Sequence, residues 1–445
     1  MNAAAPRSDQ LLAFAQAHAR FAVALPGGAE WNTRRAEALE RFLKLGLPTQ
    51  RDESWKYSPL RLLEKRVFEL PRTAPVPLAA DAVASHRLAI DDVRPLVFVD
   101  GRLMPSLSDS RATGSGLYCE PLAEALSRNP QELLDRIAVA GDGADERLAL
   151  LNLAFLADGA TVKVAQGVTA PALYLLFISS RSGRVGHGRL LIDVGAQGQL
   201  RVIEHHIGPA EDETLSNGVT DIRLDDGAHL EHVLLVEGGR RGVILNSLRA
   251  QCSGTSRLSQ YRVLISSLYS RASLHAALLG RDSAIEANSL VLADQREQLE
   301  VHSVIEHRTG HTRSTERFRG IASDRSRGVF NGRIVVHPGA VKSESQQSSR
   351  ALLLSEQAEV YARPQLEILT DDVKCSHGAT TGRLDPNMLF YLLSRGLDPE
   401  TARAFLIRAF LADALAHLQS APLRLELERR IARALPRSQQ LGDLA

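Results

Sequence analysis

The first 50 residues alternate apolar and polar positions with the period of an α-helix. Two stretches show it, one through Leu11, Phe14, Ala17, Phe21 and Leu25 and one through Trp31, Ala36, Leu39, Phe42, Leu43 and Leu45. Spacings of three and four residues place each set on a single helix face. We therefore assign residues 1–158 to a mainly helical N-terminal domain, which also holds a strand-like segment at 96–99.

The pattern changes near Gly159, where helical periodicity fades. From there to about residue 372, short apolar segments recur between Gly, Asp, Ser and Asn. Several share a shape: a turn, a leucine, then alternating polar and apolar residues. Such segments begin at Leu200, Leu230, Leu258, Leu274 and Leu299. Repeated units that cannot bury a face alone are predicted to stack on one another.

Two architectures could hold these strands. An antiparallel sandwich or jelly roll needs tight hairpin turns at short intervals, and the clear cases are Asn217-Gly218 and Asn331-Gly332. A long run of short strands without intervening helices favours a parallel β-helix, which we assign to residues 159–378.

Helical periodicity returns at the C-terminus, in residues 379–445. Asp398-Pro399-Glu400 predicts a helix start, with an N-cap followed by proline at the first helical position. This small unit cannot form a core of its own, so we expect it to pack on a partner or on the β-helix. The fold class is thus mainly β, with helical domains on both sides.

Composition excludes several classes of function. Of 445 residues, 44% are hydrophobic, and 53 Lys and Arg balance 52 Asp and Glu, so no basic field for nucleic acid or an anionic membrane exists. The three cysteines are widely spaced and form no CxxC motif, which argues for a reducing compartment. With no apolar run of about 18 residues, a cytoplasmic location without membrane contact is expected.

Motifs for nucleotide hydrolysis are missing from the sequence. Gly238-Gly239-Arg240-Arg241-Gly242 lacks the lysine and the spacing of a phosphate-binding loop. The histidine-rich segment 302–311 fits neither HExxH nor HxxEH, and we interpret it as a solvated polar ladder rather than a metal site. His205-His206 and His229 with His232 receive the same interpretation, as a stacked polar column. We predict no catalytic residue.

The sharpest chemical cluster is residues 371–380, DDVKCSHGAT. In an extended strand, Cys375 and His377 lie two positions apart and share a side. Thiolate and imidazole together make half of a soft metal site, so iron or zinc would need further ligands from elsewhere. Lys374 is expected to lower the pKa of the thiol. The competing interpretation is a structural cysteine.

Several segments resemble the SufB/SufD family of iron–sulfur cluster assembly scaffolds. They are residues 325–338 (RSRGVFNGRIVVHP), 352–355 (LLLS), 364–368 (PQLEI), 371–380 (DDVKCSHGAT), 390–396 (FYLLSRG) and 55–57 (WKY). The resemblance covers nearly the whole chain, and its Cys-Ser-His-Gly-Ala-Thr form is similar to the SufD branch rather than the SufB branch.

The resemblance implies a right-handed parallel β-helix between two helical domains, in a non-catalytic scaffold subunit. A SufB-like subunit would join through the β-helix ends and a SufC-like ATPase through the C-terminal helices, and a homodimer is allowed for the isolated chain. The resemblance also implies a transient iron–sulfur cluster, with His377 as a ligand and Cys375 as the weaker ligand candidate. A reduced flavin is implied for the complex without any residue to place it, and Trp55 and Tyr57 are expected to pack.

Two other functions remain open from the sequence. A carbohydrate-active β-helix enzyme would need clustered carboxylates on one face, and Asp371-Asp372 is the one tight acidic pair in the cluster. Adjacent strand residues point to opposite faces, unlike a paired-carboxylate site. The other alternative is a structural adaptor that never contacts a cluster.

Overall fold

A computed structural model of the chain describes residues 9–58, 78, 80–90, 93–109, 116–137, 146–181 and 183–435. The predicted N-terminal helices are confirmed as α1 (Asp9–Phe21) and α2 (Gly28–Leu45). Four short helices follow, α3 (Ala80–Ala84), α4 (Leu122–Arg128), α5 (Pro130–Arg136) and α6 (Arg147–Ala154). The strand-like segment lies in β1 (Arg94–Val99), and two more strands are β2 (Arg102–Leu103) and β3 (Leu117–Pro121).

The central region is a parallel β-helix, as the leucine recurrence predicts. Its strands are β4 (Asp158–Val164), β5 (Leu173–Ile178), β6 (Val185–Gly186), β7 (Gly188–Val194), β8 (Gln199–Ile207), β9 (Leu215–Leu224), β10 (His229–Cys252), β11 (Arg257–Leu278), β12 (Ala284–Ala293), β13 (Gln298–His307), β14 (Arg313–Ala322), β15 (Arg327–Val336), β16 (Glu344–Leu353), β17 (Glu359–Ile368) and β18 (Lys374–Gly382). Among the described strands, the antiparallel pairs are β1 with β2 and β3 with β4. The sandwich alternative is therefore wrong.

Two sheets face each other across the interior. In the first, β1, β5, β8, the first half of β10, the first half of β11, β12, β14, β16 and β18 pair in that order. In the second, β4, β7, β9, the second halves of β10 and β11, β13, β15 and β17 do the same. Strand β1 joins the first sheet although it precedes residue 159.

Leu200, Leu230 and Leu258 occupy equivalent positions on successive turns of the first sheet. A corner residue with positive φ precedes each rung, at Gln197, Gly227, Gly254, Asp282, His311, Lys342 and Asp372. This repeated corner is the turn seen in the sequence. Leu274 and Leu299 belong instead to the second sheet, where they pair with Leu248 and Ser270, so the five leucines do not form one column.

Helices cover the outer faces of the sheets. The N-terminal helices pack through Phe14, Trp31 and Phe42 in a cluster that includes Val243 and Tyr269 of the second sheet. The C-terminal helices are α7 (Pro386–Ser394), α8 (Pro399–Leu415) and α9 (Ala421–Ala434). Asp398 caps α8 as predicted, since its side chain accepts from the backbone of Glu400 and Thr401.

The C-terminal helices α8 and α9 pack on the outer face of the first sheet, in a cluster that includes Leu415, Leu423, Val233 and Val263. The C-terminal helices therefore bury their apolar side chains against the β-helix rather than in a core of their own. None of the described helices combines the length and the apolar character that crossing a membrane requires.

Candidate functional site

Cys375 and His377 lie on β18, the last strand of the first sheet. Cys375 pairs with Ser345 and His377 with Gln347 on β16. Both positions continue columns of side chains that point into the β-helix on every earlier turn. The Cys375 column is Leu200, Leu230, Leu258, Ile285, Ser314 and Ser345, and the His377 column is Val202, His232, Gln260, Ala287, Glu316 and Gln347.

The members of both columns below β18 are buried, whereas Cys375 is half-buried and His377 is exposed. The difference arises because the structure describes no rung beyond β18, whose one strand neighbour among the described residues is β16. The predicted shared side of Cys375 and His377 is thus the interior side of an open end. Both side chains would be covered only by something that adds to this end.

The thiol of Cys375 packs at the edge of the apolar core, as Leu366 and Val373 do. Burial raises its pKa above the ordinary value, because an apolar environment disfavours the thiolate. The expected effect of Lys374 is wrong: this side chain is 84% exposed and extends toward Glu344, 3.7 Å away. Cys375 is therefore mainly a thiol in the isolated chain.

A polar layer lies beneath Cys375. Ser345 Oγ accepts a hydrogen bond from Ser314 Oγ at 2.8 Å, and Ser314 Oγ lies 2.8 Å from His307 Nε2. The other ring nitrogen of His307 is 2.6 Å from Thr312 Oγ1. The column thus changes from leucine and isoleucine to serine and then to cysteine as it approaches the open end.

A charged layer lies beneath His377. Gln347 Nε2 donates to Glu316 Oε2 at 2.8 Å, and Glu316 Oε1 is ion-paired with Arg262 at 3.2 Å. All three side chains are buried. We did not predict Gln347 or Glu316 from the sequence, although the repeat of 28 to 30 residues between leading leucines would have placed Gln347 next to His377.

The described residues contain no group of three or more His, Cys, Asp and Glu side chains that could hold a metal ion. Cys375 and His377 therefore supply at most half of a four-ligand site.

The histidines of segment 302–311 are not a solvated ladder. His307 is buried inside the β-helix, and His302 is buried on the outer face, where its Nε2 lies 2.8 Å from Arg271 Nη1 and 3.1 Å from Glu300 Oε2. His311 lies at a corner with positive φ rather than on the strand of His307. The interpretation failed because a strand ends between them.

A buried polar cluster does form from the other histidines. Glu204 Oε1 is 2.7 Å from His206 Nε2, and Glu204 Oε2 is 3.1 Å from His232 Nε2. Thr220 and Asn246 also donate to this carboxylate, at 2.9 and 2.6 Å. His206 and His232 thus share one carboxylate inside the β-helix, but the expected stacked column is wrong, because His206 pairs with Val236 and His232 pairs with Val202. His205 points to the other face and contacts Tyr174 and Glu237.

Trp55 and Tyr57 pack, in agreement with the expectation. Trp55 is buried beside Arg271, and Tyr57 stacks on Tyr361 with 4.5 Å between ring centroids. The acidic pair Asp371-Asp372 lies at a corner of the β-helix and forms no paired-carboxylate site. Asp372 has positive φ and is ion-paired with Lys342 at 2.8 Å.

Comparison with known proteins places the chain in a family. Residues 177–410 match the family model described as "SUF system FeS cluster assembly, SufBD core domain", and residues 14–172 match "SufBD protein N-terminal region". Escherichia coli SufD is 32% identical over 413 residues, which covers 92% of this chain and 94% of that protein. A SufBD family protein of Synechocystis is 27% identical over 406 residues, 88% of each chain.

The chain belongs to the SufB/SufD family of the SUF system for iron–sulfur cluster assembly. Within that family it is SufD-like: Bacillus subtilis SufD is also 42% identical over 99 residues, 22% of this chain and 23% of that protein.

Proposed function

We propose that this chain is a scaffold subunit that pairs with a SufB-like subunit and holds a nascent iron–sulfur cluster between them. The observation that carries the proposal is the open end of the β-helix, where two interior columns end in Cys375 and His377. The cluster is the cargo of this site. The partner's residues would supply the remaining ligands.

His377 is the stronger ligand candidate. Its ring is exposed and makes no hydrogen bond to any residue that the structure describes, so a nitrogen is free to ligate iron. Neutral imidazole is a suitable ligand for iron. Cys375 is half-buried with a raised pKa, so binding a metal would first cost the removal of its proton.

An ATPase partner would drive the assembly, because this chain has no phosphate-binding loop of its own. We place its binding surface on α7, where no residue is buried. Met388 is 59% exposed, Phe390 71% and Tyr391 56%, and Phe405 of α8 is also exposed. An exposed group of large apolar side chains is typical of a protein interface.

Three further parts of the proposal follow from the SufD-like reading. The chain is non-catalytic, it acts in the cytoplasm, where its three free cysteines would stay reduced, and it can form a homodimer when the SufB-like subunit is absent. The reduced flavin of the complex stays a prediction to which no residue is assigned.

The test of the cluster site is reconstitution with SufB-like and SufC-like subunits. His377→Ala should leave complex formation intact, since losing one exposed ring costs at most about 1 kcal/mol, while the cluster yield falls sharply. Cys375→Ala should reduce the yield less. Ser376→Ala is the matched control, because Ser376 is exposed on the opposite face of the same strand. Normal cluster assembly by the His377→Ala complex would show that the chain is an adaptor without a ligand role.

Binding of the ATPase is tested separately on α7. Deleting the whole tail would also uncover the apolar outer face of the first sheet, so point variants are more informative. Phe390→Ala combined with Met388→Ala should weaken ATPase binding and leave the unfolding midpoint unchanged. Leu425→Ala on α9, at a residue that is 53% exposed, is the control. Equal binding by all three proteins would exclude this surface.

A further inference from the structure

The amide of Gln347 has one hydrogen-bonding atom in use and one idle. Its Nε2 donates to Glu316 Oε2 at 2.8 Å. Its Oε1 is buried and has no hydrogen-bond partner among the described residues. Because a carboxylate only accepts, Glu316 fixes which end of the amide faces it, and the oxygen is left on the other side.

The surroundings hold this amide firmly. Glu316 is itself held by the buried ion pair with Arg262, whose Nη1 also donates to the backbone oxygen of His302 at 3.0 Å. A Cβ at Gly332 would lie 2.3 Å from Gln347 Nε2, so the facing sheet leaves room for the amide and nothing larger. This series of contacts, from Arg262 through Glu316 to Gln347, holds the Gln347 side chain in one conformation.

The residue on the next rung is His377, which pairs with Gln347 in register. Adjacent strands lie about 4.8 Å apart, so an inward rotation of the His377 ring would bring it to the idle oxygen of Gln347. A buried acceptor without a partner costs about 1–3 kcal/mol. The exposed ring can turn to relieve that cost by donating its N–H.

We propose that Gln347 is a positioning residue for His377: its Oε1 accepts the ring N–H of His377, which selects one tautomer and aims the other nitrogen out of the open end. This inference rests on the proposed function for its purpose, because a ligating histidine usually donates its second nitrogen to such a partner. The hydrogen bond itself is independent of any cluster.

The direct test reads the tautomer of His377 in the isolated full-length chain. Histidine rings are labelled with nitrogen-15, spectra are recorded near pH 8, and the His377 signals are assigned with His377→Ala. The unsubstituted chain should show a single tautomer, and Gln347→Met should show a mixture. Gln346→Met is the matched control, because Gln346 is exposed on the other face of β16. A mixture in the unsubstituted chain that Gln347→Met leaves unchanged would overturn the proposal.

The second arm measures cluster assembly in the complex. Losing a partner that orients a ligand lowers metal affinity or activity about 10- to 100-fold, so Gln347→Met should slow assembly by about tenfold or more and Gln346→Met should not. If the tautomer responds to Gln347→Met while His377→Ala assembles clusters normally, the positioning stands and the proposed function fails. If His377→Ala blocks assembly while Gln347→Met leaves the tautomer of His377 unchanged, the proposed function stands and the positioning role of Gln347 fails.

Discussion

Arg271 places its guanidinium over the ring of Trp55, with 3.7 Å between Cζ and the ring centroid. The same guanidinium donates to the backbone oxygen of Ser54 at 3.0 Å and to Glu300 at 3.1 Å. Ser58 completes the contact by donating to Glu300 at 2.7 Å. A segment near the N-terminus is thereby bound to the second sheet, more than 200 residues later in the chain.

Replacing Trp55 by alanine should therefore destabilise the protein. Trp55 is 1% exposed, and truncating a buried Trp costs about 3–5 kcal/mol. Urea unfolding at neutral pH measures the change. Tyr118→Ala, at a side chain that is 63% exposed, should change the free energy of unfolding by at most about 0.5 kcal/mol. Equal effects of the two substitutions would contradict the packing role.

The carboxylate of Glu204 should make stability depend on pH. Burial alone would raise its pKa, but hydrogen bonds from His206 and His232 lower it below the ordinary 4.5. A carboxyl with a lowered folded-state pKa stabilises the protein fully above its unfolded-state pKa, and this contribution is lost as the pH falls below about 4.5.

Glu204→Gln should thus cost about 3–5 kcal/mol near pH 7, because it leaves charged or polar partners buried without their anion. The difference from the unsubstituted protein should shrink as the pH falls from 4.5 toward 3. Urea unfolding as a function of pH checks both, with Glu286→Gln at an exposed site as the control. If the difference in free energy of unfolding stays constant over this pH range, the carboxylate of Glu204 is not the source of the pH dependence.

The three cysteines should differ in reactivity. Burial raises the pKa of Cys252 to about 12, and burial together with Glu120 raises that of Cys119 to about 12. Cys375 is half-buried at the open end, so iodoacetamide should label it first, and the other two should react appreciably only after unfolding. Mass spectrometry of the native protein gives the order, and labelling of Cys252 as fast as Cys375 would contradict it.

The pH dependence of that reaction separates two interpretations of Cys375. With a raised pKa, its labelling rate should still increase above pH 9. A rate that levels off below pH 8 would mean that Lys374 lowers the pKa after all, as first expected from the sequence.

Gly332 should tolerate no side chain. A Cβ there would lie 2.3 Å from Gln347 Nε2 and 2.6 Å from Phe330 Cζ, and overpacking of this kind costs about 1–3 kcal/mol. Gly378 on β18 has nothing within 4 Å of its Cβ position, so Gly378→Ala is the control and should be nearly neutral. Thermal unfolding compares the two, and equal midpoints would contradict the tight interior.

The fold was predictable because each turn of the β-helix carries the same short local sequence pattern. In the sequence, each corner with positive φ and the leucine that follows it, Leu200, Leu230 or Leu258, can be recognised as a turn signal and an apolar position. This holds whatever residues make up the rest of that coil of the β-helix. Leu274 and Leu299 look the same locally but lie on the second sheet. Sequence alone does not tell which of two facing sheets a leucine joins.

The site was predictable only in part. Cys375 and His377 share a side because strands alternate, which is a local rule. That this side faces the interior, and that Gln347 and Glu316 lie beneath it, depends on the register between turns. His302 contacts Arg271 and Glu300, which in turn contact Trp55 and Ser58. No spacing around residue 302 reveals these N-terminal residues.

Within the part of the chain that the structure describes, one edge of β18 has no strand partner. Under the proposed function, that edge would make the yield of the complex depend on the supply of both subunits. A strand edge pairs with one extended chain at a time, so a second copy of this chain and a SufB-like subunit would exclude each other there. Copies made in excess would be diverted into self-pairs, in which the cluster ligands beside His377 and Cys375 would come from a second copy of this chain. Balanced synthesis of the two subunits would then matter as much for yield as the affinity of either contact.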